Sequence, residues 1–164
     1  MLGVDWAQIF TNFPPEIAVL LIAMIPVAEL RAAIPIGMTV FDLSIITTFI
    51  WAVIGNIIPV CLLLWWLEPI SRWLSAKSRL MARFFDWLFD RTRRKHGARF
   101  ERSAIVALIL FVAVPLPITG GWTGSVAAFV FGVPWRKALV SISIGIVIAA
   151  SIVTMLTLGA QNIL

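Results

Sequence analysis

Charge is what this sequence has least of. Only 13% of its 164 residues are Asp, Glu, Lys or Arg, against 61% hydrophobic and a mean hydropathy of +1.02. A soluble domain carries roughly a quarter charged residues and about half apolar ones, so a water-facing globule is excluded. There is one cysteine, Cys61, and one histidine, His96. A lone cysteine rules out an intrachain disulfide and a thiolate metal cluster, and Cys61, inside an apolar run, reads as a packing residue. The histidine sits in the basic run "RTRRKHG" as a solvated loop residue, which leaves no Ser/His pair within the apolar segments. Glu29 is the only acid well inside an apolar segment, so a pair of intramembrane carboxylates is missing as well. No enzymatic activity, cofactor or metal is expected. The first 16 residues, "MLGVDWAQIFTNFPPE", hold no Lys or Arg and so lack the basic start of a secretory signal peptide.

What is present is four apolar regions, at about 17–41, 43–67, 104–133 and 138–160. The second and fourth are uncharged and long enough to cross a bilayer core of about 30 Å at about 1.5 Å per residue. The expectation is an all-α integral membrane protein of one domain. Of 13 Lys/Arg, ten lie between Arg72 and Arg102, two are Arg136 and Lys137, and the last is Arg31. Basic residues flanking spans mark the cytoplasmic side. The pI of about 10.7 is therefore a topology signal, and nucleic acid is not an expected partner.

The chain divides into two halves with the same order. In 1–67, "IAVLLIAM" leads into the Pro-bounded insert 26–37 and then the span 43–67. In 103–164, "SAIVALILFVAV" leads into "PLPITGGWTG" and then the span 138–160. Short Gly/Pro-interrupted apolar segments at matching positions are a mark of inverted-repeat transporters. A helix over 17–28 reaches only about 18 Å, and running on to 41 would carry two prolines and two charges through lipid. Re-entrant hairpins at 17–41 and 103–133 avoid this, shaped by Pro26, Pro35, Gly37, Pro115 and Pro117. With only two crossings, the loop 68–102 and the "PWRK" turn share one side. Both are basic, and the termini lie opposite.

Within 68–102, Ile70, Trp73, Leu74, Met81, Phe84, Phe85 and Leu88 recur at three- and four-residue spacing, with charges on the other face. That pattern predicts an amphipathic helix lying in the cytoplasmic interface. Asp90 and Arg94 stand four apart, in the favourable order for a helix pair. Trp65, Trp66, Trp73, Trp87 and Trp135 read as an aromatic belt on the same side.

Glu29 and Arg31 stand two apart, so on one continuous helix they point about 200° from each other. A turn there lets each address a different partner. "TGGWTG" (119–124) exposes backbone N–H groups at a helix start, which attracts an anion: the Glu29 carboxylate or a substrate group. Desolvation opposes charge on a buried carboxylate, while a neighbouring arginine and helix-end amides favour it. Such a balance suits a proton-responsive group; the alternative is a structural pair that pins the hairpin. Asn56, in "GNIIP", either lines the site or hydrogen-bonds between helices. Ser141, Gly145 and Ala149 form a small-residue stripe for close packing, either within the chain or in a homo-oligomer.

The blocks "AELRAAIPIG", "IGNIIPV" and "FVAVPLPITGGWTGSVAA" resemble the small multidrug export protein family, a distant relative of the DedA (VTT-domain) membrane proteins. The resemblance covers about 20 to 160 and implies a bacterial-type inner-membrane protein with paired re-entrant hairpins. By resemblance to DedA proteins, linked to proton-dependent transport of polyprenyl-phosphate carriers, Glu29 matches the acidic first-hairpin motif. Arg136 and Lys137 match the basic residues after the second hairpin. "PLPITGGWTG" has no arginine where DedA proteins carry them, so their phosphate substrate does not carry over with the motif. The expected function is secondary transport of small amphipathic or lipid-like solutes, coupled to protons. The site is expected to contain Glu29, Arg31, Asn56, Thr119, Gly120, Gly121, Trp122, Thr123 and Gly124. Membrane lipids, the solute and protons are the expected partners. The competing readings are a membrane scaffold and a passive lipid scramblase.

Overall fold

The computed structural model describes residues 13–80, 82–83, 86–87, 98–116 and 119–161. Among the described residues there are helices and no strands. In order they are α1 (Pro15–Met24), α2 (Glu29–Thr39), α3 (Ile45–Lys77), α4 (Ala98–Ala113), α5 (Gly121–Val130) and α6 (Trp135–Gln161). The all-α expectation holds. Local chemistry sets several of these ends. α1 starts with Pro15 in its first turn, where the missing N–H is harmless, and stops at Ile25, which turns extended ahead of Pro26. α3 is capped by Ser44, whose hydroxyl accepts the Thr47 N–H at 3.2 Å.

Among the described residues only α3, with 33 residues, and α6, with 27, are long and apolar enough to cross a membrane. At 1.5 Å per residue they reach about 50 and 40 Å. α1, α2 and α5 have 10, 11 and 10 residues and reach about 15 Å each, half a bilayer core.

Besides the start of α4 at Ala98, inside the expected linker 68–102, two boundaries differ from the sequence reading. The turn between α1 and α2 is confined to 25–28, so Pro26 shapes it but Pro35 and Gly37 do not: both lie inside α2. Pro35 removes one helical N–H bond, to the Arg31 carbonyl, a loss that membrane helices tolerate better than soluble ones. A side chain at Gly37 would press on Thr48 and Val19, so this glycine serves the α2–α3–α1 contact. The second difference is that α3 does not end with its apolar run at 67. It continues to Lys77, held by the Glu68–Arg72 pair at 2.6 Å one turn apart, and breaks at the extended Ser78. The first residues of the amphipathic segment are thus an extension of the span. Met81, Phe84, Phe85, Leu88, Asp90, Arg94 and His96 lie outside the described residues.

The helices pack in a reciprocal pattern. α1 lies on α3 and α4 on α6, α2 touches both long helices, and so does α5. Each first short helix meets its long helix at a glycine. A Cβ on Gly55 would meet the Leu20 carbonyl and Ala23 of α1, and one on Gly145 would meet Val112 and the Ile109 carbonyl of α4. Ser141, Gly145 and Ala149 are buried, so the small-residue stripe packs within the chain. Ile22, Ile34, Val60, Val112, Ile142 and Ile146 fill the centre.

The outside is as apolar as the inside. α3 exposes Ile46, Ile50, Ile54, Leu62 and Trp65, and α6 exposes Val140, Ile144, Val147, Met155 and Leu156. Continuous apolar surface of this extent suits lipid and not water. The protein is a membrane protein. Cys61 is also exposed, contrary to its reading as a packing residue. In a membrane span both the protein-facing and lipid-facing sides are apolar, so hydropathy does not tell them apart. Trp65, Trp66, Trp73, Trp87 and Trp135 are all exposed, with the Lys77 ammonium 4.7 Å from the Trp73 ring and the Arg136 guanidinium 5.3 Å from Trp135.

Candidate functional site

Glu29 opens α2 and is 5% exposed. Its N–H closes the preceding turn on the Ile25 carbonyl at 2.9 Å. Its φ of 47° is in the left-handed region, which L residues other than Gly, Asn and Asp seldom enter. Surrounding contacts must hold a residue there, and they come from the second half of the chain. The Glu29 carboxylate accepts the backbone N–H groups of Gly121 and Trp122, the first two residues of α5. These are orphan donors at the positive end of a helix dipole. A carboxylate from α2 therefore caps α5 from outside. Gly120, just before the helix, lets it approach, because a Cβ there would overlap the carboxylate.

The second contact runs the other way. The Trp122 indole N–H donates to the Met24 carbonyl at 3.2 Å, satisfying an acceptor at the C-terminal end of α1. Each turn thus closes a helix end of the other. Arg31 adds a third link, its guanidinium 3.9 Å from the Glu29 carboxylate and 3.4 Å from the Thr119 hydroxyl. That hydroxyl holds the bend after α4, donating to the Val114 carbonyl at 2.6 Å and accepting the Leu116 N–H at 3.2 Å. Glu29 and Arg31 are side by side after all. The 200° separation assumed one continuous helix, and at φ 47° Glu29 does not follow helix geometry.

Two recesses flank this cluster. One, of about 190 Å³, is lined by Pro26, Val27, Glu29, Arg31, Thr119, Trp122 and Thr123. The other is bounded by Glu29, Arg31, Asn56, Gly120, Gly121 and apolar side chains, and encloses no space for a water molecule. Glu29 and Arg31 belong to both. Asn56 is 1% exposed, and its two amide heteroatoms have no hydrogen-bond partner.

The remaining expected residues are placed as follows. Thr123 is the third residue of α5 and its hydroxyl accepts the Gly120 N–H at 3.1 Å, so it supports the start of α5 without being its N-cap. Gly124 faces Val112 of α4 and serves helix packing. Pro115 lies in the bend after α4, and Pro117 lies outside the described residues. Arg136 and Lys137 stand exposed in the first turn of α6 and line neither recess. Sequence reasoning did not anticipate Val27 as a lining residue or the bond from Trp122 to α1. The one available signal was an indole, which wants a partner when buried, set in a loop of Gly and Thr.

Residues 29–152 match the family described as small multi-drug export protein. The chain belongs to this family. No curated protein and no solved structure matches it. The match opens at Glu29 and takes in Arg31, Asn56, the bend at Thr119 and all of α5. Every polar side chain of the cluster thus lies within the part shared by small multi-drug export proteins, while the Met24 carbonyl lies before it. The family's designation names multi-drug export and no single drug.

Proposed function

We propose that this protein is a proton-coupled secondary transporter of small amphipathic or lipid-like solutes in the inner membrane. Its site is where the tips of two re-entrant hairpins, α1–α2 and α4–α5, meet. The observation that carries this reading is the Glu29 carboxylate of one hairpin seated on the first N–H groups of α5 in the other. An ionisable group between two halves of a membrane protein, capped by a helix end, is a functional candidate by default. Two helices too short to cross followed by a long one in each half, about 15 Å for α1, α2 and α5 and about 24 Å for α4, support an inverted repeat, as do the matched crossings at Gly55 and Gly145.

The open recess supports the cargo class. Pockets for drug-sized ligands run to about 300–1,000 Å³, so about 190 Å³ holds a polar end only. The apolar body of an amphiphile would lie outside it, against lipid. Glu29 serves as the proton-responsive group, Arg31 as its electrostatic partner, and the start of α5 as the backbone cradle. No covalent bond of the cargo changes, so the protein is not an enzyme on this reading. Reconstitution in liposomes with candidate lipids and cationic drugs, with and without a pH gradient, tests it. Flux that rises with the gradient supports a transporter. Equal flux without a gradient would make it a scramblase, and no flux a scaffold.

A further inference from the structure

Asn56 holds a carbonyl and an amide group in the protein interior, both without a partner. Buried polar groups are nearly always paired, so two orphan atoms on one side chain call for a physical account. The recess around them has no room for water, so the missing partner must come from its walls. The side chains of Leu30, Val112, Ile146 and Ala149 offer nothing polar, and the carbonyls of Gly120 and Gly121 already accept from Gly124 and Ser125. Arg31 carries donors only and leaves the Asn56 amide unmet. Glu29 is the one side chain lining the recess that can satisfy both atoms, and only when protonated. A carboxylic acid donates its O–H to the amide oxygen and accepts the amide N–H on its carbonyl, two bonds of matched geometry. A carboxylate has no hydrogen to donate and would set its charge against the amide oxygen.

We propose that Asn56 is the receptor for protonated Glu29, so that the carboxyl group has two seats. Ionised, it sits on the Gly121 and Trp122 N–H groups beside Arg31. Protonated, it turns to Asn56, which lies close to Gly121: a Cβ there would be 3.1 Å from the Asn56 oxygen. The proton comes from the medium and stays on the carboxyl until that group returns. Moving to Asn56 frees the α5 amides and Arg31 towards the open recess, where the polar end of a cargo can take them. Among the described residues, Arg31 is the only other charged side chain lining either recess; those from α3, α4, α5 and α6 are uncharged. This inference rests on the proton-coupled reading above and adds the second state that coupling needs.

The test uses the chain with Asn12 and Asn162 changed to Ser, so that Asn56 carries the only asparagine amide. It is labelled with ¹³C at the Glu carboxyl and ¹⁵N at the Asn side chain and reconstituted in bilayers. Solid-state NMR dipolar dephasing then reads the distance between the two labels across a pH series. The expected result is contact at hydrogen-bonding range on the acid side, lost on the alkaline side and absent in Glu29→Gln. Dephasing that is constant with pH, or absent throughout, overturns the switch. Gradient-driven flux measured on the same samples separates the two readings. Flux with pH-independent dephasing removes the switch alone, while pH-dependent dephasing without gradient-driven flux supports the switch and removes the transporter.

Discussion

Gly120 separates close approach from backbone freedom at a single residue. Its φ of 177° is extended backbone open to any residue, yet a methyl group there would overlap the Glu29 carboxylate. Gly120→Ala is therefore expected to insert and fold but to unseat Glu29 from α5. Hydrogen bonds to charged groups are worth about 1.5–3 kcal/mol each, so transport per inserted protein should fall by about tenfold or more. Thr123→Ala removes only the hydroxyl that accepts the Gly120 N–H and is expected to cost about 1 kcal/mol, as helix-start bonds do. Flux normalised to membrane-inserted protein ranks the two, and a larger loss at Thr123 would contradict the ranking. At this scale the sequence was partly legible. It named the carboxylate and the amides that meet, but not the left-handed backbone at Glu29 that sets Arg31 beside it.

At the scale of the helix, the crossing glycines carry the architecture. Added bulk at Gly55 or Gly145 presses on the backbone of α1 or α4, and overpacking of that kind typically costs about 1–3 kcal/mol. Gly55→Val and Gly145→Val are each expected to lower the thermal unfolding midpoint in detergent. Gly159→Val, with nothing within 4 Å of its Cβ, should change it little. Equal midpoints in all three would contradict these crossings. The two spans were legible because long uncharged apolar runs have one physical use. The end of α3 was not, because a helix can outlast its apolar run where pairs such as Glu68–Arg72 replace lipid contact. The turn at 25–28 was blurred for the converse reason. Pro35 reads as a breaker in water, and membrane helices accept it.

For the whole molecule, the arrangement of basic residues makes a claim about sidedness. Residues 68–102 and 134–137 hold 12 of the 13 Lys and Arg and are expected on the cytoplasmic side, with both termini opposite. Since Cys61 is exposed, its replacement by Ala gives a clean background for cysteine labelling. Arg136→Cys should then react with an impermeant reagent from the cytoplasmic side only. Reaction from the periplasmic side alone would rule out a chain with two crossings and two re-entrant hairpins.

The central claim is that the carboxylate joining the two halves is what a proton gradient acts on. Glu29→Gln preserves shape but cannot change charge, so it tests that claim most directly. In liposomes with an imposed pH gradient, the variant is expected to insert and fold like the parent chain and to lose gradient-driven flux. Flux in Glu29→Gln that equals the parent's and responds equally to the gradient would contradict the account.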